Sequence, residues 1–454
     1  MSVSLTFLGA VGTVTGSKYL LETDSKKILI DCGLFQGYKQ LRLRNWSPPP
    51  VDPQSVDAVV LTHAHIDHSG YLPLFVRRGF RGKVYCTPQT RDLCQILLPD
   101  SGYLHERDAE FANQEGFSKH HPALPLYTAK DAKKSLKHLR PVSFEKDFEL
   151  TGGITLRSLP AGHILGASIV RFAINGQSIV FSGDLGRSNN AIMAAPATVQ
   201  HADYLVVEST YGDRLHENIN PQDRLADIIN RTAGRGGTVL IPAFAVGRAQ
   251  ELLFHLHHLK VEKRIPDLPV YLDSPMAINT SDVFCEHVGA HKLSDSDCRE
   301  VFGDAKYVRS VDESKALDQN GFPKVIVSAS GMATGGRVLH HLKHFVTDPR
   351  NTILFSGYQA GGTRGAAMVR GAETVKIHGR HIPVKAEVDN LSMLSAHADA
   401  DEIMAWLGRF QEPPRRTFVT HGEPEASDAL RHRIEEELGW ACTVPEYKEN
   451  AVLE

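Results

Sequence analysis

No apolar run in this chain approaches the ~18 residues of a membrane-spanning helix, so no membrane segment is expected. Cysteine is scarce and scattered, with six in 454 residues and no C-x-x-C pair. Without a secretory signature these read as reduced thiols of a cytoplasmic protein, not as a disulfide framework. The opening "MSVSLTFLGAVGTVTGSKYLLETD" lacks a basic leader, and Gly9, Gly12 and Gly16 interrupt it, so it reads as strand and turn rather than as a signal peptide. Low-complexity tracts and evident repeats are missing too. So is excess charge. A net charge of −3 neither demands nor excludes a nucleic-acid partner, because a local basic patch can bind phosphates on a near-neutral protein.

What is present is globular, 42% hydrophobic and 23% charged, with length for two or three domains. Up to about residue 200 the pattern is of short strands punctuated by Gly or Pro, such as "KILIDCG", "DAVVLTH", "QSIVFSGD" and "YLVVEST". Helical patches lie around Tyr71–Arg78 and Ala129–Leu139, which suggests stacked sheets flanked by helices. From about Tyr211 four strand–turn–helix units follow, the first being "TVLIPAFAV" leading into "GRAQELLFHLHHLK". Alternation of this kind predicts a parallel, doubly wound sheet, with ligands past the carboxyl ends of its strands. After about Gly371 the strand-rich pattern returns in "TVKIHG", "IPVKAEVD" and "RTFVTHGE". The expected organisation is one domain over 1–208 and 371–454, interrupted by an inserted α/β domain over 209–370.

The chemistry concentrates in "VVLTHAHIDHSG". Alternation on an extended segment puts His63 and His65 on one side. Asp67 and His68 then begin a turn, so the two pairs could serve two neighbouring metals. Imidazole and carboxylate suit zinc, and also manganese or iron. Further ligand candidates end other apolar runs just before Gly or a small residue: His163 in "AGHILGA", Asp184 in "FSGDLG" and His421 in "VTHGE". Together they would make two near-tetrahedral sets joined by one bridging carboxylate. Asp31 in "LIDCG" and Glu208 in "VVEST" also end strands, where a turn carboxylate is the ordinary role.

This set of motifs resembles the metallo-β-lactamase superfamily, and "VVESTYGDR", "LSAHAD" and "VTHGE" resemble the three extra motifs of its β-CASP branch of RNA-processing nucleases. That branch includes RNase J and the endonuclease subunit of the cleavage and polyadenylation specificity factor. The implied fold is an αββα sandwich interrupted by a doubly wound parallel β-CASP domain. The resemblance implies that His63, His65 and His163 hold one zinc, that Asp67, His68 and His421 hold the other, and that Asp184 bridges. It implies that Asp31 acts from behind the ligands, and that Glu208 and His397 form a dyad beside the leaving group. The implied activity is ribonuclease, endonucleolytic or 5′ exonucleolytic, with a metal-bridging hydroxide as nucleophile and His397 as general acid. Two zinc ions per chain are expected, with manganese as the alternative, and RNA as partner. A homodimer is left open. Leu394 stands where the family usually has an aromatic, a packing change.

In "SASGMATGGR" the hydroxyls, glycines and arginine at a strand end form a candidate phosphate site: Ser328, Ser330, Gly331, Thr334, Gly335, Gly336 and Arg337. Arg364 in "GYQAGGTRG" offers a weaker one. The helix histidines His255, His257, His258, His340, His341 and His344 fall outside their apolar stripes and read as exposed. The basic runs Arg77–Lys83 and Lys130–Arg140 read as solvated faces. A small-molecule hydrolase on the same scaffold would have no need of the inserted domain. A non-catalytic scaffold would have lost ligands that are all filled here.

Overall fold

The computed structural model describes residues 3–116 and 118–454. The chain divides into two compact units, Met1–Leu215 with His397–Glu454, and His216–Ala396.

The first unit stacks two seven-stranded sheets. One runs in the order Asn450–Leu453, Val3–Phe7, Tyr19–Thr23, Lys27–Ile30, Ala58–Val60, Lys83–Cys86, Leu139–Pro141. The other runs Cys442–Thr443, Arg416–Thr420, Tyr204–Glu208, Gln177–Phe181, Ser168–Ile174, Ile154–Pro160, Asp147–Thr151. Alternating residues of both sheets, among them Phe7, Tyr19, Phe172, Phe181 and Phe418, share one core. Burying each such ring contributes about 1.5–3 kcal/mol. Parallel pairing aligns the functional strand ends. Ala58–Val60 pairs with Lys27–Ile30, so residues 61–68 emerge beside Asp31. Arg416–Thr420 pairs with Tyr204–Glu208, Glu208 opposite Thr420, so His421 emerges beside Glu208 although the whole of the second unit lies between them in sequence.

The second unit is a six-stranded, wholly parallel sheet in the order Lys306–Tyr307, Val270–Asp273, Val325–Ser328, Val239–Pro242, Thr352–Phe355, Glu387–Asn390. The expected doubly wound α/β architecture is therefore present. The strands after Gly371 divide. Thr374–Ile377 and Arg380–Pro383 form a hairpin, and Glu387–Asn390 pairs with Thr352–Phe355, so "TVKIHG" and "IPVKAEVD" build the second unit. "RTFVTHGE" belongs to the first.

Two features differ from the sequence expectation. A 27-residue helix, Pro88–Gln114, occupies a stretch that the sequence reading does not single out. Thr87 starts it, its Oγ1 accepting from the Thr90 amide, with Pro88 in the first turn. The helix histidines are not uniformly exposed either. His255 and His341 are buried. His341 lies between two carboxylates, Nε2 2.6 Å from Asp273 and Nδ1 2.6 Å from Asp318. Burial opposes its charge, but these two bonds lift the imidazole to about 9.

Candidate metal centre

Strand Ala58–Val60 ends in a turn that passes directly into helix Ile66–Ser69. The turn is pinned from behind by the loop that follows Asp31. The Cys32 amide donates to the His68 carbonyl, and the Ser17 amide donates to the Asp67 carbonyl. Gly33 is required there, because a Cβ would sit 1.5 Å from the Asp67 carbonyl oxygen. Gly422 plays the matching role after His421, where a Cβ would meet Ser209 Oγ at 2.2 Å.

The seven expected ligands converge as two groups. In the first, His65 Nδ1 lies 3.2 Å from both His63 Nε2 and His163 Nε2. Asp184 Oδ2 lies 3.4 Å from His63 Nε2 and 3.5 Å from His163 Nε2. In the second, His68 Nε2 lies 3.1 Å from His421 Nε2 and 3.2 Å from Asp184 Oδ1. Asp67 Oδ2 completes it, 3.7 Å from His421 Nε2 and 3.9 Å from His68 Nε2. Ligands 2.0–2.2 Å from a tetrahedral ion stand roughly 3.3–3.6 Å from one another. The distances within the two groups, 3.1 to 3.9 Å, bracket that spacing, and the two oxygens of Asp184 are divided between them. The residues present fit a pair of divalent ions. Burial draws the His63 and His65 imidazoles below their usual range, toward the neutral form that ligates. Burial opposes the charge of Asp184, but His421, His68 and His63 hold it well below the usual carboxylate range.

Behind the ligands lies a layer of hydrogen bonds. Asp31 accepts from His68 Nδ1 at 2.8 Å, from the Thr62 amide at 2.7 Å and from Thr62 Oγ1 at 2.9 Å. Thr210 Oγ1 lies 3.0 Å from His421 Nδ1, and Thr62 Oγ1 lies 3.1 Å from His63 Nδ1. Each contact occupies one ring nitrogen and leaves Nε2 to face the centre. Lys18 supports the same loop: it donates to the Gly33 carbonyl and lies 4.8 Å and 4.7 Å from the ring centroids of Phe35 and Tyr71. Burial lowers its ammonium to about 8. Thr62, Thr210 and Lys18 are not among the residues that the sequence singles out.

Glu208 and His397 stand to one side. His397 Nδ1 is 3.0 Å from Glu208 Oε2, and its ring centroid is 4.4 Å from that of His163. Glu208 Oε1 also accepts from the Leu185 amide at 2.6 Å. Burial opposes charge on His397, but Glu208, then Asp184 and Asp67, lift it to about 9. Most of the cluster is buried. His65, Asp67 and His397 are half-buried and mark its open side.

The candidate phosphate residues lie in the second unit and are largely turned onto the protein. Arg337 Nη1 lies 2.5 Å from Asp273 Oδ1, and the guanidinium also donates to the Val308 and Arg309 carbonyls. Ser328 is buried and donates to the Asp273 carbonyl. Ser330 Oγ accepts from the amides of Thr334 and Gly335, and Arg364 donates to the carbonyls of Ala333, Thr334 and Lys376.

Residues 11–226 match the metallo-beta-lactamase superfamily, 249–368 the Beta-Casp domain, and 381–445 the Zn-dependent metallo-hydrolase RNA specificity domain. Ribonuclease TTHA0252 of Thermus thermophilus is 39% identical over 430 residues, 93% of this chain and 94% of that one. The chain belongs to the β-CASP branch of the metallo-β-lactamase superfamily. Transcription termination factor FttA of Methanocaldococcus jannaschii is 33% identical over 444 residues, 93% of this chain and 67% of that one. A solved structure of a protein of unknown function from Enterococcus faecalis V583 shares the fold, with TM-score 0.56 at 13% identity over the whole of both chains. The protein is a metal-dependent hydrolase. Among the described residues no helix is long and apolar enough to cross a membrane.

Proposed function

We propose that the protein is a ribonuclease that hydrolyses RNA phosphodiester bonds at a two-ion centre, with zinc as the metal and manganese as the alternative. One observation carries this: Asp184 divides its oxygens between two ligand groups, with the Glu208–His397 pair at their open side. The ribonuclease name of the 39% identical relative and the match to an RNA specificity domain support RNA as the substrate class. Bound ions would supply an activated water and neutralise charge developing on the phosphate.

The chain's own residues do the rest. His63, His65, His163 and Asp184 would hold one ion; Asp67, His68, His421 and Asp184 would hold the other. Asp31 and Thr210 orient His68 and His421 through Nδ1. Glu208 keeps His397 protonated and aimed, and His397 Nε2 delivers the proton to the leaving ribose oxygen. Phosphate contacts in the second unit are assigned to the loop Ser330–Gly336 and to Arg364, but not to Arg337, which Asp273 holds.

The test is to digest a long RNA labelled at either end, with and without a 5′ monophosphate. Cleavage that stops with a chelator and returns with zinc or manganese supports the reading. Inertness toward RNA with turnover of a chromogenic ester would replace it with a small-molecule hydrolase.

A further inference from the structure

The short helix Lys39–Arg44 buries none of its residues. Leu41 and Arg44 are half-buried on its inner side, but three large apolar side chains of the segment point away from the protein. Tyr38, Leu43 and Trp46 are 54%, 53% and 54% exposed. Its charge is of one sign. Between Asp31 and Asp52 there is no acidic residue, while Lys39, Arg42 and Arg44 are all present.

The backbone under these side chains is fixed. The Asn45 side chain is buried, accepts from the Phe35 amide at 3.0 Å and donates to the Phe35 carbonyl at 2.8 Å. Arg78 donates to the Ser47 carbonyl at 2.7 Å. Arg44 is held over Phe35 and Tyr447. The loop leading in is the same one that pins the ligand turn, its Leu34 amide donating to the Ile66 carbonyl at 2.9 Å. A rigid scaffold rooted in the metal centre's own support thus presents aromatic and cationic groups to solvent. Tyr38 and Trp46 flank the helix, Tyr38 at its N-cap and Trp46 in the turn beyond Asn45, with Lys39 and Arg42 exposed between them.

We infer that this segment is a binding platform for single-stranded RNA, with Tyr38 and Trp46 stacking on bases and Lys39 and Arg42 holding phosphates. Aromatic rings interleaved with cations suit an unpaired strand, whose bases are free to stack, and do not suit a duplex, whose bases are already stacked. The inference rests on RNA being the substrate and adds that its strand must be unpaired where it meets this segment.

Tryptophan fluorescence reads the contact directly. Of the three tryptophans, Trp406 and Trp440 are buried at 5% and 7% exposure, so quenching reports on Trp46. The intact metal-loaded protein is titrated with phosphorothioate RNA, single-stranded and as a duplex of the same sequence. Single strands should quench and the duplex should not. Trp46→Phe should abolish quenching and keep affinity. Trp46→Ala and Tyr38→Ala should each weaken single-strand binding by about tenfold or more, while Phe322→Ala, at an exposed ring of the second unit, should not. RNA cleavage without quenching, or equal losses for strand and duplex, would overturn the platform and leave the ribonuclease reading standing. A dimer that Trp46→Ala dissociates, with RNA affinity unchanged, would make the segment a self-association face. Neither binding nor cleavage of RNA would overturn both readings.

Discussion

His397 presents Nδ1 to Glu208, 3.0 Å from Oε2 and 3.1 Å from Oε1, and keeps Nε2 4.0 Å from Asp184 Oδ2. One edge of the ring is committed to a buried carboxylate and the other faces the metal groups. His397→Ala should therefore retain metal and bind RNA nearly normally, while cleavage falls roughly 10²–10⁴-fold. The deficit should largely vanish on an aryl phosphodiester, whose leaving group needs no proton. Metal loss, or equal slowing on both substrates, would make His397 a ligand or a positioning residue.

The same pair sets a pH dependence. Glu208 is the chief influence raising His397 to about 9 against the effect of burial. Glu208→Gln removes it, so the alkaline limb of kcat/KM should move to lower pH. A kcat/KM profile across pH 6–10 measures this, and an unmoved limb would detach the pair from proton donation.

Asp184 alone reaches both ligand groups. Asp184→Asn should cost more activity than loss of any single histidine, and elemental analysis should drop from two ions toward none. One ion or none in an active wild-type preparation would sink the two-ion account.

Asp31 acts through the Nδ1 proton of His68. Asp31→Asn should weaken metal affinity by roughly 10–100-fold with the fold intact. Metal titration followed by calorimetry distinguishes this from unfolding, since the chelated variant should melt close to the chelated wild type.

His341 links pH to stability away from the metal centre. Its folded value of about 9 lies above the unfolded 6.5, so its contribution is complete below pH 6.5 and is lost as pH rises through 9. His341→Gln should cost roughly 1–3 kcal/mol at pH 6, because it removes charged hydrogen bonds to Asp318 and to Asp273, which keeps Arg337. Denaturant titrations of both proteins should show the gap narrowing by pH 10. A gap independent of pH would mean that His341 is buried neutral.

Asp184 and His421 were legible because each follows the end of an apolar strand. In parallel pairing the ends line up, so an apolar run followed by His or Asp and then Gly already implies a shared rim, as for Asp184 and His421. His397 has no such signature. It sits in a loop joined to Gly186 by a lone bridge, and only the family resemblance singled it out. Thr62, Thr210 and Lys18 were hidden because their residue types are ordinary; the fold alone puts them against the ligands. His341 was misread because the apolar stripe of a helix marks only the face buried among hydrocarbons, whereas His341 is buried by pairing with Asp273 and Asp318. The strand Glu387–Asn390 was recognisable as a strand, but nothing local says which of the two units it joins.

The in-register pairing of Tyr204–Glu208 with Arg416–Thr420 also sets a timetable. Six of the seven ligands precede the second unit in the chain, and His421 and His397 follow it. At ~5–20 residues per second, roughly 10–50 s separate the synthesis of Asp184 from that of His421. A nascent chain in that interval holds most of a hydrolytic centre but neither the last ligand nor the proton donor. On the proposed reading, the centre is completed only after the second unit has been synthesised.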